Sequence, residues 1–168
     1  MNKTIVILSG GTGGHVLPSV CFGNFLIDNG YNCILITDKR GKKYTEKFFG
    51  KIKIIHASHL TGSLFFKLVG MIKLFIGFIL FIILLLILRP KIVVSFGSYA
   101  SLPSSVAINL ISIFMNIKFF IHEQNSIIGK TNKFLLKFAD KIFVNFEKNY
   151  NLKQKYINKI HVVGLPFS

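Results

Sequence analysis

The chain has 168 residues, 51% of them hydrophobic, with 21 Lys and Arg against 6 Asp and Glu and a formal net charge of +15. That hydrophobic fraction excludes a disordered chain; one domain is the natural count at this length, and a folded chain this long buries roughly 70% of its unfolded surface, enough for a core. Two cysteines, Cys21 and Cys33, are too few for a disulfide-stapled scaffold or a structural zinc set; both sit in apolar runs and read as buried, reduced thiols.

The opening apolar run is cut at Gly10, too short for a secretory h-region, so the expected location is the cytoplasm. A charge of +15 calls for an anionic partner: nucleic acid, acidic lipid headgroups or phosphorylated substrates. In chain order, residues 4–9 form a continuous apolar run ending in Gly10-Gly11, the mark of a buried parallel strand. Residues 15–29 read as a helix, with Pro18 tolerated in its first turn and Gly30 as its stop. Strands are expected at 32–37 and 52–57, separated by a basic loop with a short helix over 39–50. A long apolar helix spans 64–88 and ends at Arg89-Pro90. A strand at 92–95, a helix at 102–116, a strand at 118–122, a helix at 129–139 and a strand at 141–144 follow. After a polar stretch, a last strand covers 159–163. Repeated strand–helix units imply an α/β fold: a Rossmann-like parallel sheet with helices on both faces. Ligands in such sheets bind beyond the carboxyl ends of the strands, so the loops after Ser9, Ser95 and His122 are the ones to inspect.

The first loop, Gly10-Gly11-Thr12-Gly13-Gly14-His15, holds four glycines, more than a tight turn requires. Glycines let backbone N–H groups face a ligand, and the helix N-terminus adds partial positive charge suited to phosphate. Neither the dinucleotide fingerprint nor the Walker pattern fits. His15 lies at the helix start, where the dipole favours the neutral imidazole that a general base requires. The second loop, Gly97-Ser98-Tyr99-Ala100-Ser101, is a further candidate phosphate cradle, with plain helix capping by Ser101 as the alternative. The third, His122-Glu123-Gln124-Asn125, puts four polar residues directly after an apolar strand. They line a site or form a structural turn, and Asn125 can both donate and accept toward a sugar hydroxyl.

These three loops resemble the signature loops of the MurG family, the peptidoglycan N-acetylglucosaminyltransferases that convert lipid I to lipid II. Thr131-Asn132, Phe138-Ala139-Asp140 and Gly164-Leu165-Pro166 fall in the family's order and spacing. The resemblance covers essentially all 168 residues, as the amino-terminal, acceptor-side half of a two-domain GT-B glycosyltransferase. The family's donor-binding carboxy-terminal domain would begin near where this chain stops. The resemblance implies that the loops at 10–15 and 97–101 face the diphosphate of the lipid acceptor, and that Thr12, Gly13, Gly14 and Asn125 contact the UDP-GlcNAc donor. His15 is the implied catalytic residue, with Glu123 the second candidate for the base. Ser98 stands where the family usually has glycine and narrows the second cradle. No cofactor is implied, and no carboxylate pair resembles a metal site; a metal-independent mechanism fits the family.

Residues 74–88 carry no polar side chain, and a 25-residue helix runs about 37 Å. A single domain offers too few elements to cover such a helix. A single membrane crossing would place the strands before and after it on opposite sides of the bilayer. The expectation is a monotopic helix laid into one leaflet, with Lys67, Lys73, Arg89 and Lys91 reaching headgroups. Phe78, Phe81 and Leu85 are taken as its lipid face. The family resemblance implies the same membrane-contacting patch, on the cytoplasmic face of the bacterial plasma membrane. Lys39, Arg40, Lys42, Lys43, Lys47, Lys51 and Lys53 form a basic cluster for anionic lipids, each worth about 1 kcal/mol near such a surface. Nucleic acid is not the expected partner, since no zinc-finger spacing or aromatic RNA-binding motif is present. The competing function is a non-catalytic membrane anchor that recruits a separate donor-binding subunit.

Overall fold

The computed structural model describes residues 4–55, 63–97, 102–147 and 152–166. Seven strands form one sheet in the order β3-β2-β1-β4-β5-β6-β7, every neighbouring pair parallel. They are β1 (Thr4–Leu8), β2 (Asn32–Thr37), β3 (Lys51–Ile54), β4 (Ile92–Ser95), β5 (Lys118–Glu123), β6 (Lys141–Val144) and β7 (Ile160–Val162). Between them run α1 (Gly13–Asp28), α2 (Leu64–Leu88), α3 (Leu102–Ser112), α4 (Lys130–Leu135) and α5 (Gln154–Ile157).

Alternation along the strands sorts the core into two layers, because successive side chains point to opposite faces. Ile5 and Ile7 of β1 pack with Val16 and Val20 of α1, Cys33 and Leu35 of β2, and Phe96. Val6 and Leu8 face the other way, onto Phe81 and Leu85 of α2, Ala107 and Ile108 of α3, and Leu135 of α4 with Leu136 just after it. Helices therefore cover both faces, as the strand–helix alternation implies. Strand β3 is an edge strand with all four residues exposed, and Lys51 and Lys53 on it discourage pairing with another sheet.

Strand order decides where a ligand can sit. From β1 the chain builds outward to β2 and β3, then returns to the far side of β1 with β4, with Leu8 beside Ser95. The crevice of a doubly wound sheet opens at this reversal. The carboxyl ends of β1, β4 and β5 are neighbours there, so the three unusual loops share one edge.

Several element boundaries differ from the expected ones. Helix α1 begins at Gly13, two residues earlier than the pattern suggests, with Thr12 extended at φ −108° as its cap. Gly13 and Gly14 thus form the helix's first turn, and His15 is its third residue. Helix α3 stops at Ser112 because Phe114 and Met115 both donate to the Ile111 carbonyl, closing the last turn. Helix α4 gives way after Leu135 to a turn in which Phe138 donates to the Leu135 carbonyl. Cys33 is buried as expected, but Cys21 is only half-buried. Residues 56 and 57 of the expected third strand lie outside the described residues.

Candidate active site

The first glycine loop is tied down by Asp38, a residue outside the three loops that the sequence marks as unusual. Asp38, 3% exposed, follows β2 directly. Its Oδ1 accepts the Gly11 N–H at 2.9 Å and the Gly41 N–H at 2.9 Å, and its Oδ2 accepts Arg40 Nε–H at 3.0 Å. Burial alone would raise its pKa; the Gly11 and Gly41 N–H groups, followed by Arg40, outweigh burial and leave the carboxyl below its ordinary value. Gly11 takes φ +83°, a conformation that suits glycine, and its N–H is directed to Asp38 rather than to a ligand. An aspartate with a glycine three residues on, immediately after a strand, was the signal available for this residue.

Gly13 lies under the Tyr44 ring, which would stand 3.2 Å from a Cβ placed there. Thr12 and Gly14 are exposed, Gly11 and Gly13 are half-buried and Gly10 is buried. Thr12 makes no side-chain cap bond, and the first N–H groups of a helix have no intrahelical partner. The start of α1 therefore presents donors with its dipole behind them.

The third loop separates into inward and outward residues. Glu123 is 1% exposed and accepts four hydrogen bonds. Oε1 takes the Asn125 backbone N–H at 3.0 Å and Asn125 Nδ2 at 2.9 Å; Oε2 takes the Gly129 N–H at 2.9 Å and Asn132 Nδ2 at 2.9 Å. Such a carboxylate organises the loop and the start of α4. Asn125 is exposed, and its Nδ2 is committed to Glu123, leaving its carbonyl oxygen for a ligand.

Asn132 connects this loop to the second glycine loop. A Cβ on Gly97 would sit 3.1 Å from Asn132 Nδ2, and Gly97 adopts φ +81°. Both facts require glycine at position 97. Ser98, Tyr99 and Ser101 lie outside the described residues.

His15 and Gln124 bring α1 and the third loop together, with His15 Nδ1 2.9 Å from Gln124 Oε1. Gln124 Nε2 lies 3.3 Å from His122 Nδ1, and His122 Nε2 lies 3.1 Å from the Gly164 carbonyl. The His122 ring stacks on Phe96 with centroids 4.9 Å apart. Burial lowers the His122 pKa, opposed in part by the Gly164 carbonyl and the charge of Glu123. Sequence reasoning found His15 but not its partner Gln124. Among the described residues, no three His, Cys, Asp or Glu side chains stand together as a metal site.

A second surface lies away from this edge. The segment Leu68–Leu88 of α2 is long and apolar enough to cross a membrane, and 11% of its most apolar window is buried. Phe81 and Leu85 point into the core at 1% and 0% exposure, with Phe78 packed partly against it. They are not the outward face, contrary to the expectation from sequence. The outward residues are Phe75, Ile76, Ile79, Ile83, Leu86 and Ile87. Arg89 ends the helix in the left-handed region at φ 45°. Lys73, Arg89 and Lys91 are exposed beside it; the Lys67 side chain lies outside the described residues.

The N-terminal domain of glycosyltransferase family 28 matches residues 5–144. The chain belongs to glycosyltransferase family 28. It is 38% identical over 162 residues to the UDP-N-acetylglucosamine--N-acetylmuramyl-(pentapeptide) pyrophosphoryl-undecaprenol N-acetylglucosamine transferase of Rickettsia canadensis, covering 96% of this chain and 44% of that protein. The identity to the protein of the same name from Rickettsia rickettsii is also 38%, over 96% of this chain and 41% of that one. The chain thus spans less than half the length of these curated relatives. Among solved structures, Acinetobacter baumannii MurG superposes with a TM-score of 0.80 at 22% identity, over 99% of this chain and 46% of that one. A Rickettsia africae glycosyltransferase does so with a TM-score of 0.65 at 16% identity, over 96% and 42%. These two likenesses show a shared fold and agree with the sheet order.

Proposed function

We propose that this chain is the acceptor-side half of an inverting glycosyltransferase that moves GlcNAc from UDP-GlcNAc to lipid I, forming lipid II. The observation that carries the reading is the meeting of His15, at the start of α1, with the loop after β5 at the sheet's reversal point. Family membership and the names of the relatives support the same chemistry.

In this reading, His15 accepts the proton of the acceptor sugar hydroxyl as its oxygen attacks the anomeric carbon. The O–H bond breaks, a bond from that oxygen to the anomeric carbon forms, and the bond to the diphosphate oxygen breaks, its electron pair leaving with UDP. His15 is favoured over Glu123, whose two oxygens already accept four hydrogen bonds. Thr12, Gly13, Gly14 and Asn125 contact the donor. The diphosphate of the acceptor lies against the start of α1 and the loop at Gly97. The remaining donor contacts come from a donor-binding domain or subunit.

The outward face of α2 lies in one leaflet of the plasma membrane on its cytoplasmic side, where the acceptor's lipid tail is anchored. Strands β3 and β4, on either side of α2, join the same sheet, so α2 does not cross the bilayer. Lys73, Arg89 and Lys91, with the exposed basic cluster over 39–53, meet anionic headgroups. A non-catalytic anchor for a donor-binding subunit is the second reading, favoured by the exposed apolar face of α2.

The test is a transfer assay with UDP-GlcNAc and lipid I. The chain alone is expected to give no turnover, and addition of a donor-binding polypeptide is expected to restore it. Robust turnover by the purified chain alone would contradict the division of labour proposed here. Turnover by the pair that is indifferent to His15→Ala would favour the anchor.

A further inference from the structure

His15, Gln124, His122 and Gly164 form one line of hydrogen bonds that joins α1, the loop after β5 and the segment after β7. The chemistry of the partners assigns each proton. Gln124 Nε2 lies 3.2 Å from the backbone carbonyl oxygen of His122. An amide oxygen in that position would face another acceptor with no proton between them. The amide nitrogen therefore faces His122, and Oε1 faces His15. Oε1 cannot donate, so His15 carries its hydrogen on Nδ1. The Gly164 carbonyl cannot donate either, so His122 carries its hydrogen on Nε2 and offers the Nδ1 lone pair to the amide. Every donor in the line has an acceptor, with both rings neutral.

We propose that Gln124 is a positioning residue that holds His15 in the Nδ1–H tautomer and so makes Nε2 its basic nitrogen. The proposal rests on the transfer reaction above for its purpose, though not for its geometry. A free neutral imidazole in water prefers its proton on Nε2, which would leave the lone pair on Nδ1, the nitrogen turned to Gln124. The amide reverses that preference. Gln124 is 8% exposed and its amide nitrogen is held by both the ring and the carbonyl of His122, so it does not rotate freely. The His122 ring is itself fixed by the Phe96 stack and the Gly164 carbonyl. A neutral amide also orients the base without adding negative charge beside two diphosphate substrates, as a carboxylate would.

The test is a nitrogen-15 NMR spectrum of the chain with labelled histidine, whose two-bond proton correlations distinguish the tautomers. His15 is expected to show the Nδ1–H pattern. Gln124→Leu should convert it largely to Nε2–H, and Gln124→Met, which keeps the length of the side chain but offers no amide oxygen, should do the same. A wild-type Nε2–H pattern would overturn the proposal, as would a pattern unchanged by Gln124→Leu. If Gln124→Leu does not fold, the wild-type and Gln124→Met spectra carry the test. With the donor-binding half added, Gln124→Leu should lower kcat about 10- to 100-fold with little change in the donor KM. The spectra need neither donor nor acceptor, so their outcome is separate from that of the transfer reading, which stands or falls on turnover by His15→Ala.

Discussion

The carboxyl edge of the sheet and the outer face of α2 solve opposite problems. At the edge, polar groups are buried and must find partners within the protein, so Asp38 and Glu123 are each surrounded by donors. Such groups have few acceptable geometries, and the loops they hold are correspondingly well defined. On α2 the outward residues Phe75, Ile76, Ile79, Ile83, Leu86 and Ile87 are apolar, with no polar side-chain group to satisfy. Their free energy improves only when something else covers them. One region is therefore specified from within, and the other awaits a surface from outside.

Mutation of α2 breaks this comparison most sharply, because the two sides of one helix should respond differently. Leu85→Ser places a hydroxyl at a site with 0% exposure and should cost about 4 kcal/mol, seen as a large drop in thermal midpoint. Phe75→Ser together with Ile83→Ser, at 65% and 46% exposure, should change stability by only about 0.5 kcal/mol each. The outward pair should nevertheless release the protein from vesicles containing anionic lipid, measured by co-sedimentation. Retention on vesicles by the outward variant, with release by the core variant only, would mean that the outward face is not the membrane contact.

The carboxyl edge predicts a smaller effect. Asp38→Asn keeps the size of the side chain but replaces an acceptor oxygen with a donor, and should cost about 2 kcal/mol in chemical denaturation. It should also loosen Gly11, raising amide hydrogen exchange in the first loop while leaving α2 unchanged. Equal exchange in wild type and variant would show that Asp38 does not hold the loop.

The smallest effects are those of pH, and their signs follow from the groups. Cys33, pushed from 9.0 up to about 11 by burial, stays protonated in the fold after the unfolded chain begins to ionise. Its contribution is fully present below pH 9.0 and lost as pH rises toward about 11. Buried His122 has a folded pKa below 6.5, so its unfolded form takes up a proton first. Stability should decline as pH falls below 6.5 toward the folded value. Asp38 is lowered from 3.8, and its contribution disappears only as pH falls below that. Thermal midpoints between pH 3 and pH 11, compared with those of Cys33→Ala and His122→Phe, check each limb. An alkaline limb unchanged in Cys33→Ala would remove the thiol from the account.

The sheet, both helical layers and the three loops at one edge were legible because each rests on a local pattern: apolar runs, glycine clusters and helix stops. His15 was legible from its place after the glycines. Gln124 and Asp38 were not singled out, because their roles arise from pairings across the sheet edge that sequence spacing does not encode. The facing of α2 is hidden in the sequence for a related reason. Residues 74–88 are apolar on every side, so no periodicity distinguishes Phe81, which is buried, from Phe75, which is exposed. Only packing against α3 and the sheet decides which side faces in. The start of α1 lies earlier than the sequence suggests because glycine reads as a loop residue, although Gly13 fits beneath Tyr44 where a larger side chain would crowd it.

The central claim is that the carboxyl edge presents His15 as the base for glycosyl transfer. Its most direct test is turnover and donor affinity of His15→Ala in the complex with a donor-binding half, beside Glu123→Gln at a temperature where both variants are folded. The account predicts that His15→Ala lowers kcat by about 100- to 10,000-fold with donor affinity nearly unchanged, while Glu123→Gln acts chiefly on thermal stability. Near-normal turnover by His15→Ala, together with abolished turnover by a folded Glu123→Gln, would contradict it and move the base to Glu123.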